Sequence, residues 1–170
     1  MSIAIPNDLT FAKEAIYQKH GYDFSQLVID SESINYVACT FKLNNSHIIF
    51  RTAKITPTKI GQFVTLWKRD KNKLTSPFSD EDQIDFVIIS TRSGDQIGQF
   101  IFPRQVLIEQ QIISTNIRNG KRGFRVYPPW DLALNKQAKE TQKWQLKYFL
   151  NLIESEPTIS ASLQALMNCK

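Results

Sequence analysis

Runs of β-branched and aromatic residues, separated by short polar turns, occupy the middle of the chain. Tyr36-Val-Ala-Cys-Thr-Phe-Lys-Leu43 and His47-Ile-Ile-Phe-Arg-Thr-Ala53 are two such runs, joined by Asn44-Asn45, a pair that tolerates positive φ. They predict a hairpin. A second hairpin is predicted where Ile84 to Thr91 and Gln96 to Phe102 flank the turn signal Ser93-Gly94-Asp95, with Pro103 ending the strand and opening a helical turn toward Ile108.

Helical spacing governs the rest. Asn7 or Asp8 is placed to cap a helix with Leu9, Ala12, Ile16 and Tyr17 on one face and Gly21 at its end. Thr56-Pro57 resembles a cap followed by a first-turn proline, and Ile60, Phe63, Val64 and Trp67 recur at helical intervals, which predicts a short basic helix after the first hairpin. The segment from Arg118 to Trp130 combines glycine turns with a short strand ended by two prolines and reads as an ordered surface loop. From Asn135 to Leu150 no Gly or Pro occurs, and Ala138, Thr141, Trp144, Gln145, Tyr148 and Phe149 share one face of a long helix. Glu156-Pro157 breaks that helix, and Ser160 to Met167 forms a last short one. A mixed sheet of four or more strands flanked by helices, an α/β (α+β) arrangement, buries these faces.

Length and composition narrow the picture. With 170 residues, 42% of them hydrophobic, the chain buries one continuous core, and no repeat, linker or low-complexity run divides it, so one domain over residues 1–170 is expected. The start lacks the basic and apolar regions of a secretory signal, and Phe86-Val-Ile-Ile89 is far shorter than the roughly 20 residues of a membrane helix. Cys39 and Cys169 offer neither a disulfide framework nor metal-ligand spacing. These features suit a reducing cytoplasm.

Charge distribution says more than the net value of +5. Seven bases lie between Arg51 and Lys73 against Asp70 alone, and eight between Arg118 and Lys147 against Asp131 and Glu140. Phosphate binding needs repeated Lys or Arg on a rigid surface, with aromatic faces to help contact bases. Arg122, Arg125, Tyr127 and Trp130 share one loop, while Arg51, Lys54, Lys59, Lys68 and Arg69 lie around the first hairpin and the segment after it. With Arg104 and Lys121 they form the candidate nucleic-acid-binding set. The lysines at 136, 139, 143 and 147 have the spacing of an ordinary solvated helix face, and Trp67 and Trp144 lie on apolar faces that suit core packing. His20, His47 and Cys39 have no nucleophile or ligand at motif spacing, and no glycine-rich phosphate loop occurs.

Four blocks carry a family resemblance: Arg51-Thr-Ala-Lys-Ile-Thr-Pro-Thr-Lys-Ile-Gly-Gln-Phe-Val-Thr-Leu-Trp-Lys-Arg69, Gly98-Gln-Phe-Ile-Phe-Pro-Arg104, Gly120-Lys-Arg-Gly-Phe-Arg-Val-Tyr-Pro-Pro-Trp-Asp131, and the helix from Asn135 to Phe149. They resemble the signature blocks of the MepB family, from about the first hairpin to the end of the long helix. The resemblance implies a bacterial cytoplasmic protein, sometimes encoded beside a multidrug efflux pump. It also implies distant similarity to the PD-(D/E)xK nuclease fold and interaction with nucleic acid.

A nuclease of that type needs an acid at the edge of one strand and an acid-x-lysine on the next, so that two carboxylates hold Mg²⁺. Asp85 stands at a strand start, but the partner strand reads Gln99-Phe-Ile-Phe-Pro-Arg104, with an amide in place of the carboxylate. Asp95 or Glu32 would have to complete the set. The sequence therefore favours a non-catalytic nucleic-acid binder with no cofactor; a Mg²⁺-dependent nuclease centred on Asp85 is the alternative. A third reading is an accessory protein that uses Phe124 to Trp130 as an anchor for another protein.

Overall fold

The computed structural model describes residues 5–169; Met1–Ala4, part of the amino-terminal stretch read above, and Lys170 lie outside the described residues. The chain begins with α1 (Asn7–Phe11), which runs on as a π-helical stretch, Ala12–Gln18, before Gly21 turns the backbone at φ +87°. The strands that follow are β1 (Phe24–Ile29), β2 (Cys39–Leu43), β3 (Ser46–Thr52), β4 (Lys54–Ile55), β5 (Gln62–Thr65), β6 (Lys68–Arg69) and β7 (Thr75–Ser76). Next come the hairpin β8 (Phe86–Ser93) and β9 (Gln96–Pro103), α2 (Arg104–Glu109), β10 (Gly123–Val126), α3 (Lys136–Gln145), β11 (Phe149–Asn151) and α4 (Glu156–Met167).

A six-stranded sheet in the order β1-β2-β3-β8-β9-β11 forms the centre. Only β3 and β8 run parallel; the other neighbours are antiparallel. Alternation along each strand sends successive residues to opposite faces. Ile48, Phe50, Phe86, Ile88 and Ile101 point to one face, where Leu9, Ile16 and Tyr17 of the first helix and Ile159 and Leu163 of α4 cover them. Ile49, Val87, Ile89, Phe100 and Phe102 point to the other. There α2, the inner side of a small sheet and Trp144 of α3 close the core. Fully burying one such Phe or Ile stabilises the fold by about 1.5–3 kcal/mol.

The small sheet, in the order β10-β5-β4, corrects the sequence reading of Thr56 to Trp67 as a helix. Ile60, Phe63, Val64 and Trp67 fit helical spacing, but Gly61 adopts φ +84° and the chain beyond it is extended. Gln62, Val64 and Leu66 are buried while Phe63 and Thr65 are less so, the period of a strand, and β10 supplies the hydrogen-bonding partner from about 60 residues away in sequence. Three boundaries also move. Tyr36 ends a 3₁₀ turn, Ile34–Tyr36, rather than opening β2; α3 stops at Gln145, with Leu146–Tyr148 as a 3₁₀ turn before β11; and Pro157 sits in the first turn of α4, where its missing N–H is harmless, rather than before a shorter helix. The edge strand β1 was not foreseen. Both predicted hairpins and the helical turn after Pro103 are present, and Asn44 takes φ +53° in the first turn.

Candidate functional site

Alternation also organises the small sheet. Phe124, Val126 and Val64 face the core, which turns Arg125, Phe63 and Lys54 outward. The register places Arg125 opposite Phe63 and Phe63 opposite Lys54, so two cations flank one aromatic ring across three strands. Lys54 Nζ lies 4.7 Å from the Tyr36 ring centroid, and the Tyr36 and Phe63 rings meet edge-on at 6.4 Å.

Arg125 anchors the turn that precedes β5. Its guanidinium donates to Thr56 Oγ1 at 2.7 Å, to the Gly61 carbonyl at 3.2 Å and to the Ile60 carbonyl at 3.4 Å. Five N–H groups are available on a guanidinium, so donors remain after these bonds. Gly61 is required by position as well as by its φ, since a Cβ there would stand 2.7 Å from the Tyr127 ring.

Two adjoining clefts open beside this sheet, under the amino-terminal end of α3. One, of about 250 Å³, is walled by Lys121, Phe124, Arg125, Tyr127 and Trp144. The other, of about 430 Å³, is walled by Lys59, Ile60, Arg125, Tyr127 and Leu134. They share Arg125, Tyr127, Asn135 and Ala138, and among the described residues no Asp or Glu lines either. Asn135 caps α3 by accepting the Ala138 N–H at 2.8 Å, so the positive end of the helix dipole faces the shared region. The result is one groove with Lys121, Arg125 and Lys59 along it. A larger cavity, about 630 Å³, lies between the end of the first helix, the β2–β3 turn and α4, and among the described residues no Lys or Arg lines it.

The free edge of β10 is closed from α3. Gln145, fully buried, accepts the Tyr127 N–H and donates to the Arg125 carbonyl, as a neighbouring strand would. Gln142 donates to the carbonyls of Pro128 and Asp131 at 2.9 and 2.8 Å. These two glutamines hold the groove's floor, and the sequence reading missed their role. The signal was an amide placed on the apolar face that includes Ala138 and Trp144.

Of the residues expected to bind nucleic acid, Lys59, Lys121, Arg125 and Tyr127 meet in the groove and Lys54 stands beside it across Phe63. None of those cations forms an ion pair among the described residues. Arg122 is exposed next to the β6–β7 hairpin, 3.3 Å from Thr75 Oγ1. Lys68 is paired with Asp82 at 2.7 Å, and Arg69 with Glu32 at 2.9 Å. Trp67 packs under Arg69 rather than in the core, whereas Trp144 packs on Phe102 as expected.

Three further residues of that set also stand away from the groove. Arg51 is 4% exposed, inside β3, and donates to the Phe50 carbonyl, so no polyanion reaches it without rearrangement. Burial pushes its pKa down to about 10, with Cys39 and Asp30 opposing in part. Arg104 donates to the Asp80 carbonyl at the end of the main sheet opposite the one that leads into β4. Trp130 packs edge-on against Phe149 with its Nε1 enclosed, which also removes it as an exposed protein anchor.

Asp85 has a structural task. Its carboxylate accepts the His47 N–H at 2.7 Å while its own N–H donates to the His47 carbonyl at 2.9 Å, clamping the starts of β3 and β8. The β8–β9 register sets Ser90, not Asp85, opposite Gln99; that position is five residues, about 17 Å at the rise of a strand, further along. Gln99 is itself buried and accepts the Tyr17 hydroxyl. Asp95 sits in the turn at the far end of the hairpin, and Glu32 is engaged by Arg69. The donor set does not fit a two-carboxylate metal site, and among the described residues no three His, Cys, Asp or Glu side chains group around a metal position. No described helix is long and apolar enough to cross a membrane.

No curated protein matches the chain. The crystal structure of MepB does: it is 36% identical, superposes with a TM-score of 0.76, and the match covers 90% of this chain and 100% of that one. The MepB-like family model matches residues 30–151, a span that holds both hairpins, the small sheet, α3 and hence the whole groove. On both likenesses, the chain belongs to the MepB-like family.

Proposed function

We propose that this protein binds nucleic acid through the groove between β10 and α3, without catalysing its cleavage. One observation carries the reading: Lys121, Arg125 and Lys59 line a concave surface to which no described Asp or Glu contributes, and among the described residues none of the three forms an ion pair. A phosphate seated there gains charge-assisted hydrogen bonds and the field of the α3 terminus, with little competing charge to displace. Lys54 and Arg122 extend the positive surface on either side. A cytoplasmic setting, where nucleic acid is abundant, is part of this reading.

Filter binding at low salt with labelled oligonucleotides tests it. Retention is expected for the native chain, with a marked loss when Lys59 and Lys121 are both changed to Glu. Equal retention by the Lys59→Glu, Lys121→Glu variant, or no retention by the native chain, contradicts the reading.

A further inference from the structure

We infer that the ligand of this groove is a single strand with its bases unpaired, not a duplex; the inference rests on the groove reading above. A duplex presents phosphates outside and hides its bases in the stack, so it is met by cations on an open surface. Here the cations are separated by apolar and aromatic walls. The Tyr127 ring borders both clefts, with Phe124 and Trp144 on one side of it and Ile60 and Leu134 on the other. Arg125, the central cation, is recessed and half-buried, where the outer rim of a duplex does not reach without distorting.

A single strand has the matching alternation of anion and planar face. Lys121, two residues before β10, and Arg125, within it, both line the first cleft, so a short extended run of nucleotides meets them in turn. Phosphates then fall at Lys121, at Arg125 with the α3 terminus, and at Lys59, while an intervening base stacks on Tyr127. The first cleft also offers polar groups suited to a base edge. The side-chain amide of Gln137, exposed on α3, makes no hydrogen bond among the described residues, and Thr141 lies one turn further on. Amides of this kind pair with the donor and acceptor edges that a duplex leaves inaccessible here.

Fluorescence anisotropy at low salt decides the matter, using a short labelled oligo-dT, a mixed-sequence single strand, the blunt duplex of that sequence, and inorganic polyphosphate as competitor. Single strands are expected to bind at least about ten-fold more tightly than the duplex, and Tyr127→Leu to weaken them about ten-fold, the size of one lost stacking contact, while Tyr127→Phe retains binding. Gln137→Ala, on the exposed helix surface, weakens the mixed strand without disturbing the fold, as circular dichroism will verify. Duplex binding as tight as single-strand binding overturns this inference and leaves the nucleic-acid reading intact. Polyphosphate competing as well as oligo-dT, with Tyr127→Leu unaffected, overturns it too. Absence of binding to every oligonucleotide removes both.

Discussion

Gln145 completes the sheet at Tyr127: its Oε1 accepts the Tyr127 N–H at 2.8 Å, and its Nε2 donates to the Arg125 carbonyl at 2.9 Å. A helix side chain thus takes the place of a fourth strand beside β10, pairing the Tyr127 N–H and the Arg125 carbonyl on that edge of the groove. An exposed strand edge invites pairing with other chains. Closing it with an amide leaves the groove open to a ligand and closed to strand addition.

Replacing Gln145 with Leu keeps the volume but leaves a buried N–H and a buried carbonyl without partners. Each such orphan costs about 1–3 kcal/mol. Urea denaturation should show a loss of about 2–5 kcal/mol in Gln145→Leu. A change below about 0.5 kcal/mol, the range of ordinary surface substitutions, would show that water replaces the amide and that the edge is not sealed by it.

Gly61→Ala sets a methyl group where only 2.7 Å separates it from the Tyr127 ring, at a backbone φ of +84°. Both effects act in the same direction. A destabilisation of about 1–3 kcal/mol is expected from the strained φ and the displaced ring. Because the Gly61 carbonyl also receives Arg125, oligonucleotide affinity should fall with it. Unchanged stability together with unchanged binding would show that the turn adapts freely and does not position the site.

Arg51 separates legibility from burial. In the sequence it is one more base in a basic tract; in the fold it lies between Ile49 and Ala53 on an inward-facing row, nearly sealed, with its Nε unpartnered. No ion pair holds Arg51 among the described residues, with Asp30 acting only at longer range, and removing such a buried charge is neutral or stabilising when the replacement fills the space. Arg51→Met should therefore raise stability by about 1–2 kcal/mol, within the range seen for buried charges exchanged for apolar residues. Its nucleic-acid binding should match that of the native chain. A loss of binding without a loss of stability would return Arg51 to the site.

The two thiols should differ sharply. Burial pushes Cys39 up to about 12, with Arg51 lowering it only in part, whereas Cys169 is exposed. At pH 8 the reactive thiolate of Cys39 is scarce and shielded. Ellman's reagent should modify one thiol of the native chain quickly and the second only after denaturation. Rapid modification of both would place Cys39 in a segment that opens readily.

Local signals made the two hairpins legible. Asn44-Asn45 and Ser93-Gly94-Asp95 specify turns through backbone preferences that tertiary structure did not override. The segment after the first hairpin misled because Ile60, Phe63, Val64 and Trp67 fit a helix locally, while β5 is stabilised by pairing with β10, a contact invisible to a short window. The long helix was overextended for a similar reason, since Phe149 pairs with Phe100 in the main sheet. Convergence of Lys59 with Lys121 and Arg125 depends on that same non-local pairing. The residue types of the groove were thus visible in the sequence, but its boundaries and the loss of Arg51, Arg104 and Trp130 from it required the fold.

The salt dependence of oligonucleotide affinity tests the central claim most directly. For a single strand, each phosphate neutralised contributes about 0.7 to the slope of log affinity against log salt concentration. Changing Lys59 and Lys121 to Ala should flatten that slope by about 0.7 for each lysine removed and weaken binding to all sequences alike. A slope identical to that of the native chain would show that the groove's lysines do not meet phosphate, and the assignment of this surface would be wrong.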